Sequence, residues 1–145
     1  MHYLSIKGFV VDGNNNPIPY TIVGYETHIQ GKIQYYEYET DKTGQFILSV
    51  MEGDKLTFAG ENYIESLIKI QKFNKNNYKD PREPYNITIR VDGKEEIYSL
   101  YLDEKDAGKN RDLIIRLAPY IEKEKVINNK SIHPTADDMR EKINL

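Results

Sequence analysis

Short segments that alternate apolar and polar residues follow one another along most of the chain, with polar turns between them. A period of two residues is typical of β-strands that bury one face, so the pattern predicts strands and not helices. The predicted strands are residues 3–11, 20–30, 33–40, 45–50, 55–59, 63–70, 86–91, 94–102 and 113–117. We therefore expect an all-β fold in which two sheets pack face to face.

Turn residues mark the ends of these strands. Gly44 and Gly93 each close a tight turn that contains an aspartate, so we predict a positive φ at both positions. Asp92-Gly93 lies between two alternating segments, which is a strong signal for a β-hairpin over residues 86–102.

Alternation around the Gly44 and Gly53 turns identifies the residues that face the interior. If this register is right, these side chains form the centre of the hydrophobic core. The predicted core residues are Phe46, Leu48, Val50, Leu56, Phe58, Ile115 and Leu117.

Two parts of the chain depart from the strand pattern. Residues 71–84 form a polar segment with two prolines, which we interpret as a loop, and the larger stretch 71–110 reads as an insertion that carries the hairpin. We thus predict a sandwich domain over residues 1–119 and an extended polar arm over residues 120–145. The arm ends in a short predicted helix that begins near Pro134.

The amino-acid composition excludes some classes of site and argues against others. The chain has 145 residues, no cysteine and a net charge of -3, with 20 basic and 23 acidic residues. Without cysteine it has neither disulfides nor thiolate metal sites, and without a basic half it lacks the usual signature of nucleic-acid binding. No apolar run of about 18 residues is present, so we expect no membrane insertion, and the N-terminal residues do not resemble a signal peptide.

A set of turn and core residues with defined spacing extends from residue 8 to residue 58. Its members are Gly8, Asp12, Pro17, Ile18, Thr40, Asp41, Gly44, Phe46, Val50, Gly53, Asp54, Leu56 and Phe58. This set resembles the carboxypeptidase regulatory-like domain, and Asn62-Tyr63 stands where that family often has a Gly-Tyr corner. The resemblance implies a transthyretin-like (Ig-like) Greek-key β-sandwich. Such domains accompany metallocarboxypeptidases and the starch-utilisation-type outer-membrane receptors of Bacteroidota.

The motifs that would carry chemistry do not fit their usual patterns. The three histidines lack the spacing of a metal site, and Asp12-x-Asn14-x-Asn16 starts like a calcium loop but has Pro17 where glycine is required. Ser66 and Lys69 spell a serine–lysine motif, yet in a strand they lie on opposite faces. We therefore predict no catalytic residue, cofactor or metal.

Binding residues are predicted in two places. Tyr35, Tyr36 and Tyr38 are close neighbours in one strand and must face both sides of it, so part of this set is expected to form a surface for protein or carbohydrate. In the arm, we expect Met139, Ile143 and Leu145 to be buried against a partner protein.

These observations favour a non-enzymatic structural or adaptor module that docks into a multi-subunit assembly, in which a homo-oligomer is possible. We expect the assembly to be a phage virion or a phage-like injection machine of a Bacteroidota host. The alternative is a protein- or carbohydrate-binding module of the Bacteroidota cell envelope. A transthyretin-like hydrolase is a third interpretation, but that family requires a C-terminal Tyr-Arg-Gly-Ser-type sequence, whereas this chain ends Lys142-Ile-Asn-Leu145.

Overall fold

The computed structural model describes residues 2–120, and its regular secondary structure consists almost entirely of β-strands. The strands are β1 (Leu4–Val11), β2 (Ile22–Ile29), β3 (Lys32–Glu39), β4 (Gln45–Val50), β5 (Lys55–Ala59), β6 (Ser66–Asn74), β7 (Tyr85–Val91), β8 (Lys94–Leu100) and β9 (Leu113–Arg116). One 3₁₀ turn, Ala107–Lys109, lies between β8 and β9. Of the predicted arm, only Tyr120 is among the described residues, and residues 121–145, with Met139, Ile143 and Leu145, lie outside them.

The strands form two sheets, which confirms the predicted β-sandwich. One sheet has the order β4-β1-β9 and the other has the order β3-β2-β5-β6-β7-β8. β1 and β9 are parallel, and the other neighbouring strands are antiparallel. The chain crosses from one sheet to the other after β1, β3, β4 and β8. The fold is compatible with an Ig-like or transthyretin-like domain.

The core lies between the two sheets and contains the residues that alternation predicted. Six of the seven predicted residues are buried, and Leu48 is half-buried and packs against the same cluster. The rings of Phe46 and Phe58 meet across the interior with centroids 5.0 Å apart. Apolar burial of this kind is the main source of stability in a domain without disulfides.

The predicted turn conformations are present. Gly44 has φ +77° and Gly93 has φ +88°, and Asp92 before it also has a positive φ of 50°, as a two-residue hairpin turn requires. A Cβ at residue 44 would lie only 2.6 Å from the carbonyl oxygen of Val10. Asn62, at the position of the Gly-Tyr corner, has φ 68°, which asparagine tolerates better than other non-glycine residues.

The interpretation of residues 71–84 as a loop is wrong in its first part, because β6 continues to Asn74. The register between β6 and β7 shifts between Ile70 and Lys72. This irregularity inserts an extra residue, so Ile70 and Phe73 both face the interior although they are three positions apart. Period-two alternation therefore fails at this point while the strand goes on. The true loop covers residues 75–84.

An ion-pair cluster holds this loop against the segment that precedes β9. Arg82 donates from Nε and Nη2 to the two carboxylate oxygens of Asp106, at 2.7 and 2.8 Å, and Lys109 Nζ lies 3.1 Å from Asp106 Oδ1. The Arg82 hydrogen bonds, followed by the one from Lys109, hold the pKa of Asp106 well below its usual range. Two loops that are distant in sequence are thus joined through one buried carboxylate.

Candidate protein-docking cleft

The structure divides the predicted tyrosine surface between two faces of β3. Tyr36 lies opposite Tyr25 of β2 and Tyr38 lies opposite Val23, so both point to the inner side of the sheet. Tyr35 points to the outer side, where its hydroxyl lies over Gly24 and donates to Glu37 Oε2 at 3.2 Å. Only Tyr36 and Tyr38 therefore share a surface.

Tyr38 lines a cleft of about 540 Å³ between β3 and β4. We call this opening the β3–β4 cleft. Its floor is formed by the buried residues Val23, Tyr25 and Phe46, and its walls are Tyr38 on β3 and Leu48 on β4.

The cleft exists because the inner face of β3 is only partly covered by the other sheet. Tyr36 and Tyr38 keep 44% and 45% of their surface exposed although they face inward. Their rings pack on Tyr25, with centroid distances of 6.2 and 6.4 Å. Aromatic rings that are half-exposed and held in place are typical of protein interfaces.

The two strands that border the cleft are both at sheet edges. Within residues 2–120, β4 pairs with β1 alone and β3 pairs with β2 alone. β3 carries Lys32, Glu37 and Glu39, and charges of this kind normally protect an edge from further pairing. β4 reads Gln-Phe-Ile-Leu-Ser-Val and has neither a charged residue nor proline. The outer edge of β4 can therefore accept another strand.

A buried carboxylate fixes the floor of the cleft. Asp54 accepts hydrogen bonds from Tyr25 Oη at 2.7 Å, Thr27 Oγ1 at 2.6 Å and the backbone N–H of Met51 at 2.8 Å. Burial, together with the hydrogen bond to Asp54, raises the pKa of Tyr25 well above its usual value. Tyr25 is thus a neutral, rigidly held ring, and it supports Tyr36 and Tyr38 from below.

The rim of the cleft is acidic at the end where β3 stops and β4 starts. Glu39 and Asp41 both line it. Asp41 Oδ1 accepts from the N–H and the hydroxyl of Thr43 and from the N–H of Gln45, and these bonds, led by the Thr43 hydroxyl, lower the pKa of Asp41. Asp41 is therefore negatively charged at neutral pH at this end of the cleft.

The motifs that suggested chemistry have structural roles. Asp12 Oδ1 accepts the backbone N–H groups of Asn14 and Asn16 at 2.8 and 2.9 Å and so closes its own turn. Ser66 is buried and donates to Asp92 Oδ2, whereas Lys69 is exposed on the other face of β6. No group of three or more histidine, aspartate or glutamate side chains within residues 2–120 could hold a metal ion. The described part of the chain also has no helix long and apolar enough to cross a membrane.

Sequence reasoning did not identify Tyr25, Leu48 and Asp54 as parts of a surface. Leu48 was predicted as core, and Asp54 was recognised only as a turn residue. Tyr25 could have been found from its position, because it alternates with Val23 and Thr27 on the face that also carries the inner tyrosines.

Comparison with known proteins adds no identification, since no protein-family model matches the chain and a search of curated proteins finds no significant match.

Proposed function

We propose that this chain is a non-enzymatic adaptor module of the carboxypeptidase regulatory-like kind, and that it binds an extended segment of a partner protein in the β3–β4 cleft. The observation that carries the proposal is the outer edge of β4, which pairs with no other strand within residues 2–120, has no charge or proline and borders a preformed aromatic cleft. A strand added to β4 would extend the three-stranded sheet across the inner face of β3.

Each part of the cleft has a function in this mode of binding. The backbone of β4 provides the main-chain hydrogen bonds, and alternate side chains of the added strand would contact Tyr36, Tyr38 and Leu48. Burial of the two half-exposed rings gives the apolar contribution. The acidic groups of Glu39 and Asp41 would favour segments with lysine or arginine at the matching end.

The kind of assembly stays a prediction from the sequence. A phage virion or a phage-like injection machine is our first expectation, and the cell envelope of a Bacteroidota host is the alternative. Both require what the cleft provides, which is a surface for a protein segment, and neither requires a catalytic group.

A peptide-display experiment tests the proposal even while the partner is unidentified. The full chain is used to select binders from a random library of extended peptides, and amide hydrogen exchange then maps the bound site. We expect selected peptides to alternate apolar residues, to carry basic residues at one end and to slow exchange in β4. Protection at β8 or β9 instead of β4, or a failure to select any peptide, would contradict the proposal.

Two variants on the same strand provide a matched control. Tyr38→Glu places a charge inside the cleft, and Tyr35→Glu places the same charge on the outer face, where the ring is 58% exposed. We expect Tyr38→Glu to weaken peptide binding by about tenfold or more, because a carboxylate must then be desolvated beside Glu39 and Asp41. Tyr35→Glu should leave the dissociation constant within about twofold. Equal effects of the two variants would mean that the cleft is not the binding surface.

A further inference from the structure

A second cavity lies at the end of the sandwich where β4 and β6 stop and β7 starts, away from the acidic rim of the β3–β4 cleft. Its volume is about 540 Å³. It is lined by His2, Met51, Glu52, Phe73, Tyr78 and Tyr85, and we call it the end pocket. We propose that the end pocket binds a neutral carbohydrate, with a sugar ring stacked on the aromatic side chains and its hydroxyl groups donating to Glu52. This inference is independent of the proposed protein docking.

The aromatic side chains of the end pocket come from separate parts of the chain and face one another. The ring of Tyr85 lies 5.2 Å from that of His2 and 6.2 Å from that of Tyr78, and His2 also meets Phe73 at 6.2 Å. Phe73 is buried and forms the floor, whereas Tyr78 is 62% exposed. The pocket therefore offers ring surface that the core does not use.

Hydrogen bonds brace the loop that presents Tyr78. Lys75 Nζ donates to the carbonyl of Asp80 at 2.8 Å, and Asp80 Oδ1 accepts the N–H of Arg82 at 2.9 Å. Arg82 in turn is held by both oxygens of Asp106. An exposed tyrosine on a braced loop can bind a ligand without a large loss of conformational freedom.

Glu52 places a polar group beside these rings. Its Oε2 accepts the backbone N–H of Phe73 at 2.6 Å, which fixes the carboxylate at the pocket. Within residues 2–120, Oε1 has no hydrogen-bond or ion-pair partner. A carboxylate accepts up to four hydrogen bonds, so Glu52 can receive those of adjacent hydroxyl groups.

The charges around the end pocket favour a neutral ligand. Lys75 Nζ lies 5.2 Å from the centre of the Tyr85 ring, so a ligand cation would meet a like charge there. An anion would meet the carboxylate of Glu52. A sugar ring is neutral, has an apolar face of C–H groups and carries hydroxyl donors, and the pocket volume lies in the range of small-molecule sites, roughly 300–1,000 Å³.

The test uses the full chain on an array of neutral oligosaccharides, followed by titration of a bound sugar while the NMR signals of Glu52 and Phe73 are observed. We expect at least one neutral sugar to bind and to shift both signals. Tyr78→Ala should weaken binding by about tenfold or more, because it removes the exposed stacking ring. Glu52→Gln should also weaken it, since it removes the charge while an amide oxygen can still accept from Phe73.

Tyr35→Ala is the matched control, because Tyr35 has a similar exposed fraction and lies outside the end pocket. It should bind the sugar like the unchanged chain. The inference is overturned if no neutral sugar binds, if Tyr78→Ala binds equally well, or if only tetramethylammonium or a lysine peptide shifts the Glu52 signal. Because this experiment does not involve β4, its failure leaves the docking proposal unaffected.

Discussion

At the scale of single residues, the sequence predicted the backbone conformation of the turns, but it did not predict hydrogen bonds between residues far apart in the chain. Gly44 and Gly93 have the positive φ that their sequence neighbours indicated, because a tight turn depends only on adjacent residues. The two side-chain partners of Asp54 lie 27 and 29 positions away on β2. No local sequence pattern predicts such a contact, so the role of the Asp54 carboxylate in supporting the cleft floor could be recognised only in the structure.

The first prediction concerns the hydroxyl of Tyr25. Tyr25→Phe keeps the ring but leaves the buried Asp54 carboxylate with fewer donors, and we expect a loss of about 1–3 kcal/mol in the free energy of unfolding. Urea denaturation measures this loss. Tyr35→Phe removes an exposed hydroxyl on the neighbouring strand and should change the stability by less than about 0.5 kcal/mol. If the two variants lose the same stability, Asp54 does not depend on Tyr25.

A second prediction concerns the ring of Phe46. The side chain is buried and contacts Phe58, so Phe46→Ala should leave a cavity and lower the free energy of unfolding by roughly 3–5 kcal/mol. Chemical denaturation is again the measurement. A loss below about 1 kcal/mol would show that the register of β4 differs from the one described.

At the scale of elements, the alternation of apolar and polar residues predicted every strand, but it predicted the first and last residues of the strands only in part. β6 was placed at residues 63–70 but runs over Ser66–Asn74, since the irregularity after Ile70 breaks the alternation inside the strand. The hairpin of β7 and β8 was predicted from Asp92-Gly93. Its pairing with β6, which makes the larger sheet six strands wide, has no signal in the sequence.

The third prediction tests the ion-pair cluster that joins two loops. The pKa of Asp106 is lowered in the folded state from an ordinary value of 3.8, so its contribution to stability is complete above that value and is lost as the pH falls below it. We expect Asp106→Asn to lower the thermal midpoint most near neutral pH. The difference between the two proteins should shrink as the pH is lowered through about 4 towards 2.

Thermal melts at several pH values measure this difference. The experiment also needs a control in which another aspartate is changed. Asp80→Ala is unsuitable as this control, because Asp80 itself braces the neighbouring loop. Asp103→Asn is the better control, because Asp103 bonds to backbone groups of its own turn. A midpoint difference for Asp106→Asn that stays constant with pH would contradict the lowered pKa.

At the scale of the whole molecule, the two-sheet sandwich could be predicted from the sequence, but the β3–β4 cleft could not. Strand count and turn spacing were sufficient to indicate two sheets. The cleft depends on which edges the shorter sheet leaves uncovered, and this follows from strand order, which depends on contacts between residues far apart in sequence. The end pocket was missed for the same reason, because its residues come from five separate places in the chain.

The fourth prediction concerns residues 121–145. Deletion of these residues keeps the contact of Tyr63 with Pro119 and the hydrogen bond from Tyr120 to Asn62, so we expect the shortened chain to fold with a nearly unchanged thermal midpoint. If the chain is the adaptor proposed above, the shortened chain should no longer co-elute with the partner protein in size-exclusion chromatography. A shortened chain that fails to fold would show that this segment belongs to the sandwich.

The parallel pairing of β1 with β9 affects how the domain folds while it is being synthesised. Gly8 pairs with Leu113, about a hundred residues later in the chain, so β1 finds its second neighbour only when β9 has been synthesised. β4 can join β1 much earlier, after less than half of the domain. Until β9 arrives, one edge of β1 and the apolar residues beneath it remain open to other chains. A nascent chain that stalls before residue 113 should therefore need a chaperone, even though most of its strands already exist.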